Sequence, residues 1–143
     1  MAYGFTSSTI TASATLDRDS HANGGWVRLN AAAGLTVTLP AATGTGDIYK
    51  VLVITTVTSN AYIIQVANAT DSFYGGISTS TDIAGVTELA VVGDDTITMN
   101  GSTTGGLKGS WFTFEDAGTG IWVLNGFNCS TGTEATAFSA AVA

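Results

Sequence analysis

The sequence predicts an all-β fold: an antiparallel β-sandwich or barrel, jelly-roll-like, with extended N- and C-terminal arms. Charged residues make up only 10% of the chain, far below the usual quarter, so few residues suit exposed helix faces. Thr, Val, Ile and Gly, which favour pleated strands and tight turns, are abundant. Strand-like segments recur between turn signals at a spacing of roughly eight to twelve residues, and neither a helical period nor a fixed repeat appears.

The chain is predicted to form a single β domain over residues 1–143, with an N-terminal arm over 1–13 and a C-terminal arm over 129–143. Tyr3 and Phe5 in the first arm and Phe138 in the second are large apolar side chains among small residues. We expect these three to contact a partner chain. Two alternatives remain open: the aromatics cap the domain's own core, and the arms are frayed termini rather than strands added to a neighbour.

Residues 34–55 are predicted to form two strands, and the rest of the predicted sandwich is built around them. Residues 35–39 alternate apolar and polar, which is the period of a half-buried strand. Pro40, the only proline, ends this strand because it has no amide hydrogen for a ladder. A second strand starts near Ile48, and its apolar run over 51–54 predicts burial on both faces. We expect the two strands to open the sandwich as a hairpin.

Further strands are predicted where β-branched and aromatic residues lie between turn residues. These strands cover residues 7–17, 26–30, 61–67, 72–77, 88–92, 96–100, 110–116 and 121–126. The segments between them are predicted loops, the most polar being 17–25, with 78–85 as an exposed loop and 58–60 as a hairpin turn.

The aromatic hairpin near the C-terminus is predicted to turn at residues 117–120, where glycines accept positive φ. Trp111, Phe114 and Trp122 on its strands are expected to supply much of the core, because each aromatic buries about 150–250 Å². A short helix over 134–141 is the alternative to an extended C-terminal arm.

The formal net charge is −7, and the four basic residues form no basic run. Because affinity for a phosphate backbone comes mainly from clustered Lys and Arg, we expect no nucleic-acid partner. An acidic surface suits solubility or docking onto a basic surface. No window approaches about 18 apolar residues and no signal-peptide pattern is present, so we expect no membrane partner and folding in a cytosol.

Residues for catalysis or metal binding are few. His21, the only histidine, lies in a polar loop and is expected to be solvated rather than a catalytic base. The acidic pairs Asp94–Asp95 and Glu115–Asp116 diverge in a strand or turn, which favours solvated turns over a calcium site. Cys129, the only cysteine, has no basic neighbour and is expected to be a buried or interface thiol. We predict no cofactor, no metal and no enzymatic activity.

Several segments resemble a family of tailed-bacteriophage virion proteins, the small capsid decoration proteins (cement or head-fibre proteins) and related fibre modules. The segments are Gly34-Leu-Thr-Val-Thr-Leu-Pro-Ala-Ala-Thr-Gly44, Tyr49-Lys50-Val51, Tyr62-Ile-Ile-Gln-Val-Ala67, Asp71-Ser-Phe-Tyr-Gly-Gly76, Gly120-Ile-Trp-Val-Leu-Asn-Gly126 and Thr136-Ala-Phe-Ser139. The resemblance implies a β-rich homotrimer that binds the major capsid protein on the capsid exterior, after synthesis in the host bacterial cytoplasm. The family has no active-site motif, so no functional residue is carried over.

Three hypotheses follow. The first is a non-enzymatic capsid decoration protein that stabilises the shell. The second is a tail-fibre or spike module that binds host-surface glycan, with Trp26, Tyr62 or Tyr74 stacking on sugar rings. The third is a hydrolase that uses two carboxylates from distant positions, although nothing in the sequence marks which two.

Overall fold

A computed structural model describes residues 7–143 as two β-sheets packed face to face. The elements of the described residues are β1 (Ser8–Ile10), β2 (Ala14–Thr15), α1 (Arg18–His21), β3 (Val27–Leu29), β4 (Leu35–Thr38), β5 (Ile48–Val53), β6 (Tyr62–Gln65), β7 (Ser72–Ser80), β8 (Gly85–Leu89), β9 (Thr96–Met99), β10 (Trp111–Gly118), β11 (Ile121–Cys129) and β12 (Phe138–Ser139). Sheet A has the order β1-β3-β5-β10-β11-β7-β8, and sheet B the order β12-β9-β6-β4-β2. The predicted all-β sandwich is confirmed.

The strand pairing is mixed rather than antiparallel throughout. Among the described residues, five strand pairs are parallel and five are antiparallel. From β1 to β6 the chain changes sheet after every strand, so β1, β3 and β5 run parallel in sheet A and β2, β4 and β6 run parallel in sheet B. This part of the chain is therefore a coil of three turns around the core. Alternation in sequence shows that a segment is a strand but does not identify its partner, which is why the antiparallel prediction was wrong here.

Two predicted hairpins are wrong for the same reason. β4 and β5 lie in different sheets, and so do β5 and β6. The aromatic hairpin is confirmed, because β10 and β11 pair antiparallel with Gly118 opposite Ile121. Gly120 in its turn has φ +75°, a conformation that glycine adopts without strain.

Alternate side chains of both sheets fill the core between them. β4 alternates as predicted, with Leu35 and Val37 buried. β5 also alternates, so the prediction of burial on both faces is wrong: Val51 is buried, while its neighbour Leu52 points to the outside of sheet A and is only partly covered. The apolar run in β5 therefore arises because Leu52, at an outward position, is apolar like its buried neighbours Val51 and Val53.

The aromatic side chains divide between the core and the outer surface. Phe114 and Trp122 are buried as predicted, and Trp122 packs edge-on against Tyr49 with ring centroids 5.7 Å apart. Trp111 is not in the core. It lies partly exposed on the outer side of sheet A, edge-on to Trp26 at 6.3 Å between centroids, because its position in β10 has the opposite parity to Phe114.

Two predicted loops contain regular structure. Within the polar segment 17–25, residues Arg18–His21 form one helical turn, and the Asp17 carboxylate caps it by accepting the Ser20 N–H at 2.8 Å. The predicted exposed loop 78–85 is also partly strand, because β7 continues past residue 77 to Ser80 in its parallel pairing with β11.

A short strand from each predicted arm is paired within the sandwich. β1, from the N-terminal arm, pairs in parallel with β3. β12, from the C-terminal arm, pairs antiparallel with β9, and the alternative helix over 134–141 does not form. Tyr3 and Phe5 lie outside the described residues.

Phe138 in the C-terminal arm belongs to the chain's own core, opposite Ile97 and only 7% exposed. Just beyond it, the N–H groups of Ala141 and Val142 donate to Oδ1 of Asp95 at 2.8 and 3.2 Å. The Phe138 ring therefore presents little surface to a partner in this structure, because the arm is fastened to its own sheet.

Candidate functional site

Sheet A carries large apolar side chains on the face that points away from the core. We call this set the outer face: Ile48, Tyr74, Leu89, Ile121, Val123 and Phe127, all exposed by 39% or more. Strand register brings them together, since Val123 is paired with Tyr74 on one side and with Glu115 on the other, and Glu115 is paired with Ile48. The result is a surface with several exposed apolar side chains on neighbouring strands, among which Thr113, Glu115 and Asn125 also point outward.

The outer side of sheet B differs in chemistry. Its outward positions on β4, β6 and β9 are mainly threonine and glutamine: Thr36, Thr38, Ile63, Gln65 and Thr98. Such a polar exterior is usual for a sandwich in water. The exterior of sheet A thus exposes more large apolar side chains than that of sheet B, and exposed apolar patches mark interaction sites.

Two polar side chains at the centre of the outer face are paired with each other, whereas the neighbouring Glu115 is exposed. Thr113 and Asn125 are cross-strand neighbours, and the Thr113 hydroxyl donates to the Asn125 side-chain oxygen. Lys50 lies with its ammonium 4.9 Å from the centroid of the Trp26 ring, which is a cation–π distance. The face can therefore be covered without leaving the Thr113–Asn125 pair unsatisfied.

A second apolar region lies along β8, the last strand of sheet A. We call it the β8 edge and define it by Ile83, Val86, Val91 and Val92. Ile83 and Val92 are 93% and 95% exposed. Because β8 pairs only with β7 among the described strands, its other side presents backbone groups to which another strand can bind.

A cleft of about 310 Å³ lies where α1, the segment after β4 and the β10–β11 hairpin meet. Its polar lining includes Asp47, Asp116, Tyr49 and Arg18. The Asp47 carboxylate accepts from the Asn23 side-chain amide at 2.8 Å and lies 3.2 Å from Nε of Arg18. These contacts hold the helix and its loop against β5.

The Asp116 carboxylate in this cleft accepts backbone N–H groups from Thr43, Gly44 and Thr45, together with the Thr45 hydroxyl. Burial raises the pKa of Asp116, but these hydrogen bonds outweigh it and hold the pKa below its ordinary value. A carboxylate held ionised by four donors has little capacity as a general acid or base, and its role is to fix the turn.

Tyr49 has the opposite shift. Burial, together with the negative charges of Asp47, Asp17 and Asp116, raises the pKa of Tyr49 to about 12. The phenol therefore stays protonated at neutral pH. Beside it, the buried indole Nε1 of Trp122 has no hydrogen-bond partner, so the cleft contains donors and engaged carboxylates rather than a catalytic pair.

The sequence candidates for chemistry are separated in space or engaged in structural contacts. His21 Nδ1 accepts the N–H of Asp17 at 2.9 Å, and its side chain is largely covered rather than solvated. Asp94–Asp95 is buried rather than solvated, because both carboxylates accept backbone N–H groups, Asp94 from Val91 and Asp95 from Ala141 and Val142. Glu115–Asp116 diverges as predicted, with Glu115 exposed and Asp116 buried.

Cys129 is half-buried at the end of β11. It lines an open groove of about 480 Å³ with residues on either side of it, including Phe127 and Ser130. The proposed buried or interface role for this thiol stays a prediction.

The three aromatic residues suggested for sugar stacking differ in access. Tyr62 is fully buried, so it offers no ring face to a ligand. Trp26 is partly covered by Trp111 and Lys50. Tyr74 is 44% exposed on the outer face and is the one of the three that is open to a ligand.

Sequence alternation does not reveal the outer face, because a two-residue period identifies only one apolar side of a strand. The signal was nonetheless present: residues 121–124 are apolar at every position, so both faces of β11 had to be apolar. The register with β7 and β10 then sets Val123 and Phe127 in one surface, and that register is a property of the fold.

Comparisons of the chain with protein-family models, curated proteins and solved structures found no match. Within residues 7–143, no cluster of three or more His, Cys, Asp or Glu side chains is arranged to hold a metal ion. The same residues contain no helix with the length and apolar character needed to cross a membrane. The fold and its surfaces define an all-β sandwich protein in which one sheet exposes large apolar side chains on its outer side.

Proposed function

We propose that this chain is a structural protein of a tailed-phage virion that decorates the outside of the capsid. In this proposal it assembles as a homotrimer, binds the major capsid protein and stabilises the shell, and it acts by association rather than by catalysis. The sequence resemblance motivates the virion assignment. The observation that carries the proposal is the contrast between the apolar outer face and the threonine-rich exterior of sheet B.

The β8 edge is the region that we assign to the capsid protein. An open edge strand binds an extended segment through main-chain hydrogen bonds, and neighbouring apolar side chains supply specificity. Ile83 and Val92 lie just beyond the two ends of β8 and are almost fully exposed. A capsid segment that pairs with β8 would cover both the backbone edge and these side chains.

The test is co-sedimentation of the purified chain with expanded capsids that lack it. We expect saturable binding and a higher melting temperature of the decorated shell, because a ligand that binds only the intact state stabilises it. Ile83→Asp and Val92→Asp are expected to weaken this binding, while Thr98→Glu on the exterior of sheet B leaves it unchanged. A chain that never sediments with capsids of its own phage would disprove the proposal.

The exposure of Tyr74 favours a second candidate function, a tail-fibre or spike module that binds host-surface glycan. Aromatic rings accessible on one face stack on sugars, and Tyr74 has this access. A glycan array separates the two functions. Binding that is lost in Tyr74→Ala but retained in Tyr74→Phe would support the glycan module, and an array without signal would exclude it for the glycans displayed.

A further inference from the structure

We propose that a second copy of this chain covers the outer face of sheet A, with Val123 and Tyr74 near the centre of the contact. This inference deepens the proposed homotrimer and rests on it, because it names the surface through which the copies meet. The argument uses the apolar exposure of the face, its size and its charge.

The exposed apolar side chains supply the driving force for association. Val123 and Phe127 on β11 are 42% and 41% exposed, and Tyr74 on the adjoining strand is 44% exposed. Leu89, which the register places on the same side through its pair with Gly76, is 71% exposed. Removing apolar surface from water contributes about 25 cal/mol per Å², so covering these side chains together favours association.

The face is large enough to form much of an interface. Strands β5, β10, β11, β7 and β8 lie side by side, and a spacing of about 4.8 Å gives a width of about 20 Å. β11 from Ile121 to Phe127 adds a length of about 20 Å at about 3.4 Å per residue. The flat area of about 400 Å², before side-chain relief is counted, is about half of the ~800 Å² that each partner contributes to a standard interface, so the contact must extend beyond the outer face.

Charge favours a second copy as the occupant. Arg28 and Lys50 point outward on β3 and β5, and Glu115 is the one acidic residue at the outward positions of sheet A's described strands. The face is thus weakly basic, although the whole chain carries −7. In a closed trimer each contact joins two different surfaces of the chain, so the weakly basic outer face of one copy meets part of the acidic surface of the next, and this complementarity favours a second copy as the occupant.

The experiment measures the mass of the full chain in solution by sedimentation equilibrium, for the unaltered chain and for two variants. Val123→Glu places a carboxylate at the centre of the outer face, and Thr98→Glu places one at an outward position of sheet B. We expect a multimer for the unaltered chain and for Thr98→Glu. For Val123→Glu we expect an association constant at least about a hundredfold lower, because a second carboxylate beside that of Glu115 adds like-charge repulsion and another unpaired charge to the contact.

Tyr74→Ser, which removes apolar surface without adding charge, is measured alongside and keeps the test valid if Val123→Glu does not fold. Folding of every variant is checked by near-ultraviolet circular dichroism. Weaker association of Tyr74→Ser in a folded chain supports the inference. A monomeric unaltered chain, or a multimer that Val123→Glu and Tyr74→Ser leave intact, overturns it.

Failure of this inference can be distinguished from failure of the proposed function. A chain that forms multimers through the outer face but never binds capsids would overturn the capsid assignment and leave the self-association surface standing. A chain that is monomeric in solution yet binds capsids, and loses this binding in Val123→Glu, would show that the capsid protein covers the face and would overturn the inference alone.

Discussion

The carboxylate of Asp116 lies 2.7 Å from the backbone nitrogen of Gly44, although 72 residues separate the two in sequence. The same side chain accepts N–H groups from Thr43 and Thr45. These residues belong to the segment through which the chain crosses from β4 in sheet B to β5 in sheet A. A carboxylate on the aromatic hairpin therefore reinforces a crossing that a few backbone hydrogen bonds to the same hairpin also hold.

Asp116→Asn is expected to lower the free energy of unfolding by about 1–3 kcal/mol, because the neutral amide is a weaker acceptor and turns a donor toward N–H groups. Urea unfolding followed by tryptophan fluorescence measures the change. Glu115→Gln is the matched control, since Glu115 precedes Asp116 but is exposed. Equal stability of Asp116→Asn and Glu115→Gln would show that these hydrogen bonds contribute nothing measurable.

The pH dependence of the Asp116 contribution has a definite sign. The folded-state pKa of Asp116 lies below its ordinary value of 3.8, so the folded state favours the ionised form. The stability that this preference contributes is fully present above the unfolded-state pKa, and it is lost as the pH falls through the folded-state pKa. The difference in stability between the unaltered chain and Asp116→Asn is expected to shrink below about pH 4. A difference that stays constant down to acid unfolding would contradict this assignment.

Gly34 is a position where only glycine fits. Its φ is +82°, and a Cβ there would lie 2.3 Å from the carbonyl oxygen of Ala61. Gly46 has a similar φ of +77° but nothing within 4 Å of its Cβ position. Gly46→Ala is expected to cost about 1–2 kcal/mol of backbone strain, and Gly34→Ala about 3 kcal/mol or more because a steric clash adds to it. Thermal unfolding of the two variants compares them, and equal losses would mean that the clash relaxes at no cost.

Local sequence patterns predicted the strands well where one strand face is apolar. The alternation of Leu35 and Val37 gave β4 correctly, and the glycine turn near Gly120 gave the hairpin of β10 and β11. Both signals depend on residues close in sequence, namely the two-residue period of a strand and the positive φ of a turn.

The coil of parallel strands and the apolar outer face depend instead on contacts between distant residues. Residues 39–47 look like a hairpin turn in sequence, but the Asp116 hydrogen bonds hold part of this segment in a crossing between sheets. No residue pattern within this segment indicates that it contacts Asp116. Trp111 was misplaced for a similar reason, because an apolar residue between Ser110 and Phe112 fits either face until the partner strands are known.

Tyr62 joins two loops through its buried hydroxyl. The hydroxyl accepts the Ala31 N–H at 2.9 Å and donates to the Thr55 carbonyl at 2.7 Å. Tyr62→Phe leaves both backbone groups without this partner and is expected to lower the free energy of unfolding by about 2–4 kcal/mol. Urea unfolding measures the loss, with Tyr74→Phe as the control because Tyr74 lies on the surface. Similar values for the two variants would mean that water replaces the hydroxyl in the core.

Tyr49 is expected to make the protein sensitive to alkali. Its folded-state pKa is raised from 10.0 to about 12 by burial and by Asp47, Asp17 and Asp116, so the folded state favours the protonated phenol. The stability that this preference contributes is fully present below the unfolded-state pKa, and it is lost as the pH rises from 10.0 through about 12. Urea midpoints at about pH 9 and about pH 11 are expected to differ more for the unaltered chain than for Tyr49→Phe, which has no proton to lose. Tyr74→Phe, which leaves the cleft intact, is expected to behave like the unaltered chain. If Tyr49→Phe and the unaltered chain lose equal stability over this interval, the alkaline sensitivity arises elsewhere in the fold.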